Sequence, residues 1–142
     1  MFANPPRAQI EALLRTARTI AVVGLSADPA RPSHRVARAL QGFGYRVIPV
    51  TPAQGEILGE AAVAELADLP RVLKAGERVD IVDVFRRSEF VAGIVEQCIL
   101  LKMPALWLQD GVIDDAAAER AVAAGIFTVM DRCTYRDRAA LG

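Results

Sequence analysis

The sequence predicts one doubly wound α/β domain over residues 1–142, with five or six mostly parallel strands and helices on both faces. Three observations carry that expectation. Short β-rich runs such as "TIAVVGL" and "VDIVDVF" are apolar without a break, as in parallel strands covered on both sides rather than strands with one wet face. These runs alternate with helical patterns, and strand–helix–strand units of that length close through right-handed crossovers. Finally, 142 residues of which 53% are hydrophobic suffice for one sizeable core.

Taken in order, residues 6–17 read as a helix with Ile10, Leu13, Leu14 and Ala17 on its apolar side, an N-terminal extension (1–18) packed on the outside. "TIAVVGL" (19–25) is the first strand. Residues 33–43 form a helix in which Val36, Leu40 and Phe43 share a stripe while Arg35, Arg38 and Gln41 face outward. Ser33 is placed to cap its start and Gly44 to end it. "YRVIPV" (45–50) is the second strand, closed by Thr51 and Pro52. The stretch "AAVAELADLPRVLKAGER" has room for a short strand and one or two helical turns. "VDIVDVF" (79–85) is a third strand, after which Ser88 opens a helix striped by Val91, Ile94, Val95, Cys98 and Leu101. "PALWLQ" (104–109) follows, Asp114 caps an alanine-rich helix ending near Gly125, and "IFTVM" (126–130) is the last strand.

Several function classes are disfavoured. No apolar run approaches the roughly 20 residues of a membrane span, and "MFANPPRAQIEALLRTART" lacks the basic start, apolar run and cleavage site of a signal peptide. Cytoplasmic residence is the expectation. Acidic and basic residues balance at 17 each, so no global field favours nucleic acid or a membrane surface. Cys98, Cys133 and the lone histidine have no metal-ligand spacing, and a disulfide is not expected in the cytoplasm.

In open α/β sheets, ligands sit beyond the carboxyl ends of the strands, where the strand order reverses. That directs attention to residues 24–34, 50–54, 85–88, 109–113 and 131–134. In the first segment Gly24 permits a tight exit from the strand and Ser26 offers a hydroxyl to a phosphate oxygen. Ser33 and the amides of residues 34–36 make a helix N-terminus that favours an anion. Arg31 can add a charge-assisted contact. The competing reading is a loop stiffened by Pro29 and Pro32 with a solvated Arg31. At the second strand end, "VIPVTPAQG" supplies neither the acid that takes the ribose of NAD nor an arginine for the 2′-phosphate of NADP. Val50, Thr51 and Pro52 can instead edge an adenine. Phe85 and Arg86 stand at the next strand end, with Arg87 the expected surface charge, and Gln109 can meet a polar linker. Trp107 reads as core.

"GLSADPARPSHRVARAL", "GYRVIPVTP", "VDIVDVFRRSE", "WLQDGV" and "VMDRC" together resemble the stand-alone bacterial CoA-binding proteins, similar to the N-terminal domain of succinyl-CoA ligase α subunits. The resemblance runs from residue 18 to about 135 and implies a Rossmann-like domain that binds coenzyme A or a short acyl-CoA, with no known chemistry of its own. It matches Gly24, Leu25, Ser26, Arg31, Pro32, Ser33 and His34 to a phosphate turn, and Val50, Thr51 and Pro52 to an adenosine edge. Phe85, Arg86 and Gln109 match the later strand ends. The chain departs from the family at Thr51, often Asn, at His34, often Tyr, and in the longer segment "RVLKAGER".

His34 invites an enzymatic reading, but no nucleophile or carboxylate stands beside it except Asp28, should the fold bring it near. A phosphate or stacking contact, or plain exposure, are the alternatives. Cys98 lies on an apolar stripe and reads as inert core. Cys133 follows Arg132 and reads as a packed structural thiol; the alternative is a thiol whose pKa Arg132 lowers, open to a mixed disulfide with CoA. A small NAD-type oxidoreductase and a CoA-responsive module acting on a protein partner remain the other function classes. The phosphorylatable histidine domain of CoA ligases has no counterpart in this sequence.

Overall fold

A computed structural model describes residues 1–52 and 55–142; Ala53 and Gln54, in the strand-end segment 50–54, lie outside the described residues. Strands β1 (Thr19–Val23), β2 (Arg46–Val50), β5 (Ile81–Val84), β6 (Ala105–Leu108) and β7 (Phe127–Val129) form one sheet in the order β2-β1-β5-β6-β7. All four pairings are parallel. From β1 the chain first adds a strand on one side, then crosses back to add three on the other. The strand order therefore reverses between β1 and β5, which places the switch point at their carboxyl ends. "VDIVDVF" holds the sheet's centre, as its unbroken apolar character requires.

Period-2 alternation splits the core into two layers. Ala21, Val23, Val82, Val84, Leu106 and Leu108 pack under helices α3 (Val91–Leu100) and α4 (Asp115–Ala123). Ile20, Val22, Ile81 and Trp107 pack on the other face, under helices α1 (Arg7–Thr16) and α2 (Pro32–Gly42). The N-terminal helix is a working part of that second layer. Ile10 and Leu14 are buried, and the Tyr45 hydroxyl donates to the Leu14 carbonyl. Asn4 is clasped both ways to the last strand end: its amide donates to Met130 O at 3.0 Å and its oxygen accepts from Met130 N–H at 2.8 Å.

The weakly patterned middle resolves into a two-stranded antiparallel pair, β3 (Glu56–Ile57) and β4 (Glu60–Ala61), and a 3-10 turn over Leu66–Arg71. Asp114 caps α4 as expected, accepting from Ala117 N–H at 3.0 Å. Ser33 does not cap α2: Arg31 occupies the N-cap position, and Ser33 sits inside the first turn. The buried side of α2 is Ser33, His34, Ala37 and Leu40, with Val36 and Phe43 half-buried at its margin. A final helix, α5 (Thr134–Ala139), has no counterpart in the sequence reading. Its "TYRDRA" has no apolar period, and ion pairs hold it instead, Arg132 to Asp137 at 2.7 Å and Arg136 to Asp110 at 2.8 Å. Among the described residues no helix is long and apolar enough to cross a membrane.

Candidate functional site

At the switch point, Gly24 is required twice over. Its φ of 85° lies in the region that side chains avoid, and a Cβ there would come within 2.4 Å of Phe85 O and 2.9 Å of Arg86 Cδ. The chain leaves β1 pressed against the end of β5, and a cleft of about 610 Å³ opens above. Ser26, Arg31, Pro32 and Ser33 form one wall, Phe85, Arg86 and Arg87 the floor, and Gln109 to Val112 with Cys133 the far wall.

The turn is braced from within. Ser33 Oγ accepts from Ser26 N–H and Ser26 Oγ accepts from Asp28 N–H, each at 3.0 Å. Both hydroxyls therefore keep their own hydrogen for an outside acceptor. Asp28 Oδ1 accepts from Ala30 N–H at 2.9 Å, and His34 Nδ1 lies 2.9 Å from Ser26 O. His34 is thus a brace inside the turn; its ring nitrogen meets a backbone carbonyl rather than Asp28 or the cleft. The amides of His34 and Arg35 both turn back on Arg31 O, at 3.1 and 3.2 Å. This corrects the expectation that residues 34–36 present free amides. With Pro32 lacking an N–H, the first-turn donor left for an anion is Ser33 N–H. Arg31 is exposed at the rim and makes no ion pair among the described residues.

Arg86 and Arg87 both line the main cleft but differ in burial. Arg87 is exposed and pairs with Glu89 at 3.6 Å. Arg86 is half-buried, its guanidinium lying 4.1 Å from the centre of the Phe90 ring. It also lines a second cleft of about 460 Å³, bounded by Val50, Pro52, Leu66 and Phe90 between β2 and α3. The two clefts thus share one cation. Thr51 is tied through its amide to Val63 O at 2.8 Å. Leu25 is a core residue, 1% exposed, whereas Val50, also buried, lines the second cleft.

One carboxylate lines the main cleft, Asp110. Arg136 binds it at 2.8 and 3.0 Å and holds it below the usual carboxylate range. The cleft's remaining charge is cationic. Gln109 is buried with its Oε1 turned inward to accept from Thr134 N–H at 3.0 Å. Cys98 is sealed in the core and burial pushes its thiol up to about 12. Cys133 is buried at the edge of the cleft, and Arg132, which follows the last strand beside it, is held by two bonds to Asp137, at 2.7 and 2.8 Å. Sequence reasoning passed over Asp83, which lies fully buried on β5 against Thr134. An acid in the middle of an apolar strand was the signal available.

These clefts offer hydroxyl, amide and guanidinium donors that suit phosphates, with Asp110 in one and Glu65 in the other, and no acid directly follows β2 in "VTPAQG" to take a nicotinamide dinucleotide's ribose. Known proteins bear on the assignment. The chain is 39% identical over 130 residues, 92% of either protein, to the uncharacterized protein YneT of Bacillus subtilis. The solved structure of cell-free ID.343 from Thermus thermophilus is 41% identical, with a TM-score of 0.86 over 97% of this chain and all of that one. An acetyl-coenzyme A synthetase of Candidatus Korarchaeum cryptofilum shares the fold at 22% identity and a TM-score of 0.65, over 82% of this chain and 27% of that one. Residues 18–138 match the CoA binding domain, and with strand ends, turn and match in agreement, the chain belongs to that family.

Proposed function

We propose that this protein binds coenzyme A or a short acyl-CoA across its two clefts. Gly24, Ser26, Arg31, Pro32 and Ser33 take a phosphate group, with Leu25 and His34 shaping the turn beneath it. Val50, Thr51 and Pro52 edge the adenosine in the smaller cleft. Phe85 and Arg86 bridge the two, and Gln109 meets the pantetheine arm. The observation that carries this reading is the turn after β1, where two seryl hydroxyls retain their hydrogens beside the start of α2 and an exposed Arg31 that joins no ion pair among the described residues. Membership of the CoA binding domain family supports it.

Calorimetric titration with CoA, acetyl-CoA, NAD and NADP tests the proposal. CoA is expected to bind and to stabilise the fold by about 2.7 kcal/mol at 100 times its Kd. Binding of NAD in place of CoA would overturn it.

A further inference from the structure

Between β5, β6 and the start of α5 runs a buried polar chain. Asp83 and Thr134 are 0% exposed and Gln109 is 4% exposed. Thr134 Oγ1 stands 2.8 Å from Asp83 Oδ2 and 2.9 Å from Gln109 Oε1, and Thr134 N–H meets that same Gln109 oxygen at 3.0 Å. The last bond sets the amide's orientation, because an N–H needs an acceptor and the NH2 of Gln109 is none. Thr134 Oγ1 therefore has an acceptor on one side and a carboxyl on the other, with one hydrogen to give. If it gave that hydrogen to a carboxylate, two oxygens would face each other at 2.9 Å with none between them. The charge would also be stranded: Asp83 joins no ion pair among the described residues, and its Oδ1 is buried without a partner. A carboxyl so placed takes up a proton. Burial raises it to about 8, net of the lowering by the Thr134 hydroxyl.

We propose that Asp83 is a neutral acid and a positioning residue: Asp83 O–H donates to Thr134 Oγ1, Thr134 O–H donates to Gln109 Oε1, and Gln109 thereby holds its NH2 toward the cleft as a donor for a carbonyl oxygen of the ligand. Gln109 lines that cleft, and Asp83 Oδ1 is the sole side-chain polar atom wholly buried without a partner among the described residues, so the Gln109 NH2 is not sealed away. Gln109 stands two strands from Gly24, about 10 Å across the sheet. Resting on the CoA reading, the part of the ligand arriving there is not a phosphate but the pantetheine arm, whose two amide carbonyls accept from such a donor.

Two measurements test this. Infrared difference spectra of the wild type against Asp83→Asn, taken on the acid side of about pH 8, are expected to show the carbonyl stretch of a protonated carboxyl in the wild type alone. No such band overturns the neutral acid. In titrations, Thr134→Val is expected to lose about tenfold more affinity for CoA than for adenosine 3′,5′-bisphosphate, which lacks pantetheine. Thr134→Ser, which keeps the hydroxyl, recovers most of that loss. Equal losses for the two ligands overturn the positioning role. Should Thr134→Val fail to fold, Gln109→Glu replaces the donor by an acceptor and must select against CoA in the same comparison. Wild-type protein that binds the bisphosphate but gains nothing from pantetheine overturns the role of Gln109. Binding of neither ligand overturns the CoA reading itself, while the infrared band still decides the state of Asp83.

Discussion

Both ends of the sheet carry a cleft of similar size and similar charge, but their backbones offer opposite things. The upper cleft, about 610 Å³, has Arg31, Arg86 and Arg87 on its walls; the lower groove, about 500 Å³, has Arg15, Arg18 and Arg138. Above, α2 begins, and the seryl hydroxyls around its first turn have hydrogens to give. Below, α1 and α2 end, and Thr16, Ala17, Phe43 and Gly44 bring the carbonyl ends of those helices to the groove. Arginines near helix carboxyl ends offset the partial negative charge of exposed carbonyls. Arg15 sits in the last turn of α1, and Arg138 rests 4.6 Å from the Phe43 ring. Neither volume nor the number of arginines separates the two places. The direction of the helices does.

The sharpest way to break this contrast uses two glycines. Gly24→Ala meets a carbonyl at 2.4 Å and keeps a positive φ, and is expected to destabilise by about 2 to 4 kcal/mol and abolish CoA binding. Gly44→Ala, with a φ of 103° but open space around it, is expected to cost about 1 to 2 kcal/mol with CoA affinity intact. Urea unfolding and calorimetry on both variants check this; equal effects on binding would erase the distinction between the ends.

Next come the arginines. Arg31→Ala is expected to weaken CoA by about 1.5 to 3 kcal/mol, the range of a hydrogen bond to a charged group, with folding little changed. Arg15→Ala at the other end should leave the isotherm unmoved. Dephospho-CoA refines the result: if the mutation weakens both ligands alike, Arg31 meets the pyrophosphate, and if dephospho-CoA is insensitive to it, the 3′-phosphate.

Two acids titrate with opposite sign at the two ends. Glu77, below, accepts from Lys74 N–H, Arg46 and Thr19 Oγ1, and these hold it under its ordinary value of 4.5. Its contribution is present above that value and lost as pH falls through its lowered one. Asp83, raised from 3.8 to about 8 by burial, contributes most below 3.8 and loses that contribution as pH climbs to 8. Relative to the wild type, Asp83→Asn should therefore gain stability between those limits, by up to about 1.4 kcal/mol per pH unit. Glu77→Gln should lose its deficit only in acid. Thermal melts across pH check both slopes; a flat difference for Asp83→Asn would mean that the acid is charged throughout.

The smallest effect contrasts two helix starts. Asp114 caps α4, whereas no side chain caps α2 at the cleft. Asp114→Ala should cost about 1 kcal/mol of stability and leave CoA affinity alone.

What the sequence disclosed follows from how local each feature is. The strands, the α4 cap and the burial of Trp107 are written within a few consecutive residues. Ser33 misled because a serine before an apolar stripe looks like a cap, while its real partner, Ser26 N–H, is chosen by the shape of a loop. Helix α5 was invisible because its anchors, Asp110 and Gln109, come from another strand end. The Asp83 chain joins residues 25 and 51 positions apart, beyond the reach of any local pattern.

The clasp between Asn4 and Met130 spans 126 residues of a 142-residue chain. Contacts so distant pay the loop-closure entropy last, after nearer pairings have shortened the path. The N-terminal end of α1 can lock only once Met130, just past β7, is in place. Hydrogen exchange should accordingly find α1 opening ahead of the central strands β1 and β5. The α1 layer thus hangs on the contact that is most distant in sequence among the described residues.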